Sequence, residues 1–408
     1  MKSQAVRLLA VALIGAITPC AFAAEWAIEP SVESRANWTD NINFMPNVHE
    51  NVFNWTVAPK VTFARRTEAT EMAGTASVGI NRYPGNSQFD TNDANLSLDS
   101  HLHDERNSYG LSAAFIRDST LASELATTGI VLARAQRNLV SVSPSWNYSM
   151  TERSSIFAQY RYDKANYEAG FGLIDYSNQQ ITSGYQYLLS ERTAATVSGS
   201  YSHYQADDGS FLTNSYGFNV GLTHNPTERL TFGLGIGAQR ADTTIRSSAL
   251  LCEFGSIAVC NFFGIPLQLV TATSKNSDTG LSYNSSVDYK WDRTSANVSL
   301  GRNTNPTGTG LVVQTDGLTV GFKHEFNEKL SASAGGAWLI SRYLGGLAAD
   351  TEYYRLDAGL SWKLDEWWTA GAGYSFASQK IKGVPENASA NTIFMSISYN
   401  WPKISISR

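Results

Sequence analysis

Residues 140–149 of this chain read Val-Ser-Val-Ser-Pro-Ser-Trp-Asn-Tyr-Ser, so apolar and polar side chains alternate strictly. Successive side chains of an extended strand point to opposite faces, and this stretch therefore predicts a strand with one apolar and one polar face. The same alternation returns in residues 53–63, 281–291 and 392–401. Beyond the N-terminal region no stretch shows helical periodicity of comparable quality, so the sequence predicts an all-β fold.

Short polar turns, each with an acidic residue and usually a basic neighbour, separate many of the alternating segments. They lie at residues 67–68, 104–106, 151–153, 190–192, 227–229, 292–293, 327–329 and 365–366. Longer connections rich in Gly, Asn, Asp, Ser and Thr alternate with these turns, near residues 38–51, 84–90, 118–135, 167–175, 206–211, 242–276, 304–310, 343–350 and 381–390. Eight turns and nine loops join eighteen strands, each forming a hairpin with the next.

Hydropathy alone does not reveal where these strands lie. The mean hydropathy is −0.23 and 16% of the residues are charged, as in a soluble protein. No later stretch holds the roughly 20 apolar residues of a membrane-spanning helix. Strands of a transmembrane barrel alternate lipid-facing apolar and lumen-facing polar side chains, so their mean hydropathy is low as well. A secreted β-propeller or sandwich is the alternative, but its strands usually have only about five or six residues.

Aromatic residues favour the membrane interpretation, because they cluster on the apolar face beside the turns, where a barrel has its interfacial girdle. These residues are Trp146, Tyr148, Tyr187, Trp362, Trp367, Trp368 and Trp401. We therefore predict a transmembrane antiparallel up-and-down β-barrel of the bacterial outer membrane over residues 24–408, with about 18 strands. An even number of strands places both termini in the periplasm. The expected partners are outer-membrane lipid and the barrel-assembly machinery.

The N-terminal residues 1–23 have the pattern of a cleavable signal peptide. Lys2 and Arg7 precede the apolar run 8–17, and Ala21-Phe22-Ala23 presents small residues at the two positions that signal peptidase reads. Cys20 raises the alternative of a lipoprotein, but the residues before it make a poor lipobox. We predict cleavage after Ala23.

The polar strand faces would line a lumen that eighteen strands leave too wide for side chains to fill. Ser, Thr, Asn and Gly dominate there, accompanied by charges of both signs. The predicted lumen-lining charges are Lys60, Asp99, Arg161, Asp163, Asp288, Lys290, Lys323, Glu325, Arg355 and Asp357. They suit a polar, hydrated solute, or they pair across neighbouring strands and only stabilise the wall. By strand parity the lumenal aromatics are few, namely Phe157, Tyr204 and Phe394.

The connection 242–276 is the longest and is unusually apolar. Cys252 and Cys260 form an even pair in an oxidising compartment, which predicts a disulfide. Together with Phe262 and Phe263 they mark a loop that packs on itself or folds into the barrel mouth, because so apolar a segment is poorly solvated. It is a candidate gate. A rigid lid or a contact between protomers is the alternative.

Composition and motifs give little support to other classes of function. The net charge of −5 and the absence of a basic cluster argue against nucleic-acid binding. The six histidines show no metal-ligand spacing, apart from a weak pair at His101 and His103, and there is no Gly-x-Ser-x-Gly motif. We predict no cofactor, no metal site and no enzymatic activity. A barrel hydrolase with one adjacent Ser and His stays open, since sequence does not exclude it.

Three short stretches carry a resemblance to a known family. They are Trp26-Ala-Ile-Glu-Pro30, Trp38-Thr-Asp-Asn-Ile42 and Val57-Ala-Pro59. In these stretches the chain resembles outer-membrane β-barrel proteins encoded beside exopolysaccharide biosynthesis operons. The resemblance implies an eighteen-stranded barrel through which a new polysaccharide crosses the outer membrane, working with a periplasmic polysaccharide-export protein. It implies no catalytic residues.

The C-terminus departs from a pattern common among outer-membrane barrels, which end on an aromatic residue. Here Trp401 is followed by the tail 402–408, which is either a docking strand or disordered. The sequence thus favours a channel for passive export of a secreted exopolysaccharide through a polar lumen. The alternatives are a diffusion porin for small hydrophilic solutes, a barrel hydrolase acting on lipid or polymer, and a receptor or structural barrel occluded by loop 242–276.

Overall fold

The computed structural model describes residues 25–407 except 48, 132, 252–267 and 345–348. Strands account for most of this part of the chain. They are β1 (Glu25–Thr39), β2 (Val52–Arg66), β3 (Thr70–Arg82), β4 (Thr91–His103), β5 (Asn107–Ser119), β6 (Gln136–Thr151), β7 (Ser154–Tyr167), β8 (Tyr176–Ser190), β9 (Thr193–Ala206), β10 (Phe211–Thr227), β11 (Leu230–Leu251), β12 (Gln268–Trp291), β13 (Thr294–Pro306), β14 (Val312–Glu325), β15 (Leu330–Tyr343), β16 (Thr351–Lys363), β17 (Trp368–Ile381), β18 (Ala388–Asn400) and β19 (Ile404–Ser407). The described residues also contain a single 3₁₀ turn, Ser87–Phe89, and one α-helix, α1, which spans Thr120–Thr128.

The strands form one closed antiparallel barrel. Each strand from β1 to β18 pairs with the next in sequence, and β18 returns to β1, with Ser31 opposite Asn400 and Thr39 opposite Thr392. The predicted eighteen-stranded barrel is confirmed. None of the helices in the described part of the chain is long and apolar enough to cross a membrane.

The C-terminal tail adds a short continuation to the closing strand. Glu25 to Ile28 of β1 pair with Ser407 to Ile404 of β19. Asn400 pairs with Ser31 and Ile404 with Ile28, so three tail residues, 401–403, lie opposite the two β1 residues 29 and 30. Pro402, which has no backbone N–H to donate, lies at this break in the pairing. Residues 404–407 of the tail are therefore an ordered strand paired with β1, and a docking role in the periplasm stays a prediction.

The two ends of the barrel differ as the turn pattern predicts. At one end, here called the turn end, eight short connections join β2–β3, β4–β5, β6–β7, β8–β9, β10–β11, β12–β13, β14–β15 and β16–β17. The other connections gather at the opposite end, the loop end. The connection between β11 and β12 is shorter than predicted: both strands continue well into 242–276, with Leu251 paired to Gln268.

Large apolar side chains form the outer surface. Leu234 and Ile236 on β11 are 59% and 60% exposed, as expected of side chains that face lipid. Near the turn end, outward aromatic side chains lie together, and the ring of Tyr399 lies 4.8 Å from those of both Trp368 and Trp401. The alternating faces therefore meet lipid on the outside and surround a polar lumen.

Helix α1 was not predicted by periodicity. It lies in the connection between β5 and β6, which the sequence analysis treats as an irregular loop. Its sequence is rich in helix-compatible Ala, Leu and Glu, and it ends at Gly129, which adopts a left-handed conformation at φ 66°. The Gly129 N–H donates to the Leu125 carbonyl at 2.9 Å. The helix is too short to show a convincing apolar period, and packing inside the barrel stabilises it.

Candidate functional site in the lumen

The predicted lumenal charges lie on the polar strand faces, and most are exposed in the turn-end half of the barrel. Lys60, Asp99, Asp288 and Lys290 are exposed, and so are Arg161, Lys323, Glu325, Arg355 and Asp357. Asp163 is the exception, because it is buried beside Arg161 and accepts a hydrogen bond from the hydroxyl of Ser141. The turn-end half is thus an open polar chamber.

Several of these charges pair along a strand and not across strands as the sequence analysis considered. Arg161 binds Asp163 at 2.8 Å, Lys323 binds Glu325 at 3.0 Å, and Arg355 binds Asp357 at 3.4 Å. Glu33 and Arg35 on β1 repeat the arrangement at 2.9 Å. The partners are two residues apart, on the same face of one strand. These pairs neutralise charge locally and do not bind strands to each other.

The lumenal aromatics are packed against the wall. A Cβ built on Gly373 would lie 2.5 Å from the Phe394 ring, so Phe394 lies flat over this glycine. The Arg35 guanidinium stands 4.3 Å from the ring centroid. Tyr204 is only 2% exposed and packs on Tyr176. Neither ring is therefore free to stack on a sugar.

The loop-end half of the lumen is filled by protein. Three segments fold inward, and we call them together the plug. They are helix α1, residues 40–47 and residues 307–311. One buried cluster joins Phe44 and Leu125 of the plug to wall residues Leu339, Tyr353 and Ala388. A second cluster buries Val312, beside the plug, against wall residues that include Ala165, Tyr176, Tyr204 and Ala241. Both buried apolar clusters of the described residues thus lie inside the barrel at this end.

Glu124 of α1 connects two segments of the plug to the wall. It is 5% exposed, and it accepts hydrogen bonds from the Tyr167 hydroxyl and, at 3.4 Å, from the Gly308 backbone N–H. The Gly308 carbonyl in turn accepts from the Ile174 N–H at 2.8 Å. Burial raises the pKa of the Glu124 carboxyl above its usual range, while Tyr167 and the cation of Arg137 oppose the shift.

The C-terminal end of α1 is held by β15 and β17. The Ser341 hydroxyl donates to the Thr128 carbonyl, and the Gln379 side-chain amide donates to the Gly129 carbonyl at 2.7 Å. These are carbonyls that a helix end leaves without partners, so wall side chains act as its cap. Because α1 starts at β5 and ends against β15 and β17, it crosses the lumen.

The wall is incompletely closed on the loop-end side between β12 and β13. Backbone pairing covers only Asn284–Trp291 against Gly301–Thr294, although β12 starts at Gln268 and β13 ends at Pro306. Beyond the ladder, Thr304 of β13 donates its hydroxyl to the Gln239 side chain of β11 at 3.1 Å. The tip of the β13–β14 hairpin therefore leans into the lumen, and it carries residues 307–311 of the plug. We call this break in the ladder the seam.

Side-chain hydrogen bonds connect the strands at the seam, where backbone pairing stops. The Arg302 guanidinium donates two hydrogen bonds to the Asp316 carboxylate, at 2.5 and 2.8 Å, and we call this bidentate pair the fork. Arg302 also donates to the Leu281 carbonyl of β12 at 3.4 Å. The Tyr283 hydroxyl donates to the same Asp316 at 2.9 Å. A bidentate fork of this kind is a strong contact, because both partners are ionised.

The plug is a feature of the mouth that the sequence did not predict. The gate was predicted in connection 242–276, whereas the described residues that fill the mouth belong to the β1–β2, β5–β6 and β13–β14 connections. Cys252, Cys260, Phe262 and Phe263 lie outside the described residues, as do residues 1–23. Their disulfide, their gating role and the signal peptide stay predictions. The repeated Leu121 and Leu125, four apart before Gly129, were the sequence signal for α1.

No group of three or more His, Cys, Asp or Glu side chains able to hold a metal occurs among the described residues. His101 and His103 stack with ring centroids 6.2 Å apart. His224 contacts Thr193 at 2.9 Å and His324 contacts Thr294 at 2.8 Å, in both cases on the outer face near the turn end. In the described hydrogen bonds no carboxylate orients either imidazole, so neither pair forms a triad.

No protein-family model matches the sequence, and comparison with curated proteins gives no match. Similar solved structures include OccK8 (OprE) of Pseudomonas aeruginosa, with a TM-score of 0.46 and 10% identity over 92% of this chain and 98% of that chain. OpdK of the same organism, solved with vanillate, gives 0.46 and 10% over 93% and 99%. The ferric-catecholate import receptor Fiu of E. coli K12 gives 0.49 and 8% over 91% and 81%. At these identities and TM-scores the likeness says nothing about function, and the closed barrel of this chain is defined by its own strand pairing.

Proposed function

We propose that this protein is a channel for small hydrophilic solutes in the bacterial outer membrane, with its turn end in the periplasm and its loop end outside. Short turns on the periplasmic side and longer loops outside are the usual arrangement of such barrels. The observation that carries the proposal is the asymmetry of the lumen. An open polar chamber occupies the turn-end half, and a packed plug narrows the loop-end half.

The plug favours small solutes over a polymer. Its segments are bonded to one another through Glu124 and Gly308, and to the wall through Ser341 and Gln379. A polysaccharide threading the barrel needs the whole cross-section cleared at once, which means breaking these bonds and exposing the Leu125 cluster. A small solute needs only the space that the plug leaves beside it.

Export of an exopolysaccharide with a periplasmic export partner remains the prediction of the sequence resemblance. It requires that the plug leave the lumen, and its natural test is genetic. Deleting the gene should leave secreted polysaccharide unchanged if the small-solute proposal is right. Loss of secreted polysaccharide, restored by the intact gene, would support export instead.

The direct experiment uses the purified, refolded barrel in planar bilayers and in liposomes. We expect ion conductance and swelling in isosmotic solutions of small solutes. A variant in which residues 121–133 are replaced by a short Gly-Ser linker should conduct more and admit larger solutes, because α1 no longer crosses the lumen. Heat-modifiable migration on a gel provides the folding control. A folded barrel that neither conducts nor swells liposomes, with or without α1, contradicts the proposal.

A further inference from the structure

The lumenal wall is divided into charged and uncharged sectors. The inward faces of β8, β9, β10 and β11 carry no acidic or basic side chain, whereas those of β1, β14 and β16 carry Glu33, Arg35, Lys323, Glu325, Arg355, Asp357 and Lys363. The uncharged sector consists mainly of side chains with hydroxyl or amide groups and of glycines. Four neighbouring strands thus form a continuous neutral polar surface.

A recess of about 390 Å³ lies against this sector, just beneath the packed loop end. Its lining includes the amides of Asn178, Gln180 and Asn219 and the hydroxyls of Ser200 and Ser202. One charged residue among its lining, Arg302, is held in the fork on Asp316. The recess therefore offers hydrogen bonds without an uncompensated charge.

These amides and hydroxyls are not used by the fold. Among the described residues, Asn178, Gln180, Ser200, Ser202 and Asn219 make no hydrogen bond to another side chain, whereas several lumenal charges pair. Tyr204, which also lines the recess, has a buried hydroxyl without a partner among the described residues. The amides and Ser hydroxyls of this surface are partly exposed, so their donors and acceptors are available to a ligand.

We propose that this recess, here called the neutral recess, binds uncharged solutes rich in hydroxyl or amide groups as they pass the plug. Such a solute exchanges each hydrogen bond to water for one to the wall, at little net cost. An ion of the same size leaves water for a surface without a counter-charge, which is unfavourable. The inference rests on the proposed channel function and names its substrate class.

The test compares three solutes with one carbon skeleton and different charge: glucose, gluconate and glucosamine. Swelling rates of liposomes that contain the wild-type barrel are measured at equal osmolarity. We expect glucose to enter several-fold faster than either ion. Gln180→Glu with Asn219→Asp adds acid at nearly constant volume, and should lower the glucose rate and raise that of glucosamine relative to gluconate. Asn95→Asp, on the lumenal face of β4 outside the recess, is the matched control and should leave the glucose rate nearly unchanged.

The outcomes separate the two proposals. If the three solutes enter equally fast, or if the control variant acts like the recess variant, the neutral recess is not a binding site although the barrel is a channel. If none of the three enters while the barrel is folded, the channel function itself fails. Asn178→Leu provides a second readout: concentration-dependent block of ion current by glucose, taken as a fraction of each variant's own current without glucose, should weaken several-fold. Unchanged block also contradicts the inference.

Discussion

The Gln379 side-chain amide donates to the Gly129 carbonyl at 2.7 Å, across 250 residues of sequence. This bond joins the end of α1 to β17, on the side of the barrel away from the strand at which the connection begins. Both groups are buried, so the bond is shielded from water. It determines how far the β5–β6 connection reaches across the lumen.

Replacing Gln379 with Leu should loosen the plug without unfolding the barrel. The substitution leaves the buried Gly129 carbonyl without a donor, which costs about 1–3 kcal/mol. We expect a higher mean conductance with more frequent fluctuations, recorded from single channels. Gln186→Leu, on the lumenal face of β8 and away from α1, serves as the comparison. Equal conductance traces for both variants and the wild type would show that this bond does not hold α1 in place.

The plug should respond to pH through Glu124, which lies in a connection and not in a membrane-spanning strand. Burial raises the pKa of its carboxyl in the packed plug, so the packed state binds more protons than an opened one. Acidification therefore stabilises the packed plug, and this contribution is lost as pH rises through the raised pKa. Conductance measured from acid to alkaline pH should increase over that window.

Glu124→Gln gives the control for this pH response. It keeps the size of the side chain and removes the titrating group, so the conductance of the variant should lose this pH dependence. If the wild-type conductance does not change with pH, or if the variant keeps the full pH response, Glu124 is not the group through which the plug responds to pH.

The fold followed from the sequence because its signals are local and repeated. Alternation within each segment, such as Val140 to Ser149, determines which face is apolar, and acid-bearing turns such as Glu191-Arg192 mark where each hairpin ends. Each of these signals involves residues close together in the chain. Eighteen repetitions of the same pattern made the strand count robust against an error in any one element.

The candidate site was less predictable because its contacts are long-range. Glu124 meets Gly308, and Thr128 meets Ser341, across stretches of chain that no local pattern connects. The apolar content of connection 242–276 drew attention to that loop, while the helix in 118–135 has only two turns of weakly apolar sequence. Strand parity correctly placed Tyr204 and Phe394 inward, yet could not show that Tyr204 is buried and that Phe394 is covered by Arg35.

The predicted Cys252–Cys260 disulfide can be tested without reference to the structure. Mass spectrometry of the mature protein, digested without reducing agent, should find the two cysteines in one linked fragment. Cys252→Ser with Cys260→Ser should leave the barrel folded, since the described strands β11 and β12 pair up to Leu251 and Gln268. Free thiols in protein isolated from an oxidising compartment would show that the pairing is wrong.

The seam between β12 and β13 should depend on the fork between Arg302 and Asp316. Backbone pairing between β12 and β13 stops at Asn284 and Gly301, and toward the loop end Arg302 reaches the Leu281 carbonyl while Tyr283 reaches Asp316. The fork between Arg302 and Asp316, which itself joins β13 to β14, holds both side chains in position for these contacts with β12. Arg302→Lys keeps the positive charge but cannot form the bidentate hydrogen bonds to Asp316, and Arg302→Met loses both the charge and these bonds. We expect both variants to unfold at lower temperature, with Arg302→Met the less stable by about 1–2 kcal/mol relative to the wild type. The temperature at which heat-modifiable gel migration is lost measures this, and Arg229→Met, which removes an exposed pair with Asp292 at the turn end, provides the comparison. If the two Met variants are equally stable, the seam is closed by packing and the fork contributes little.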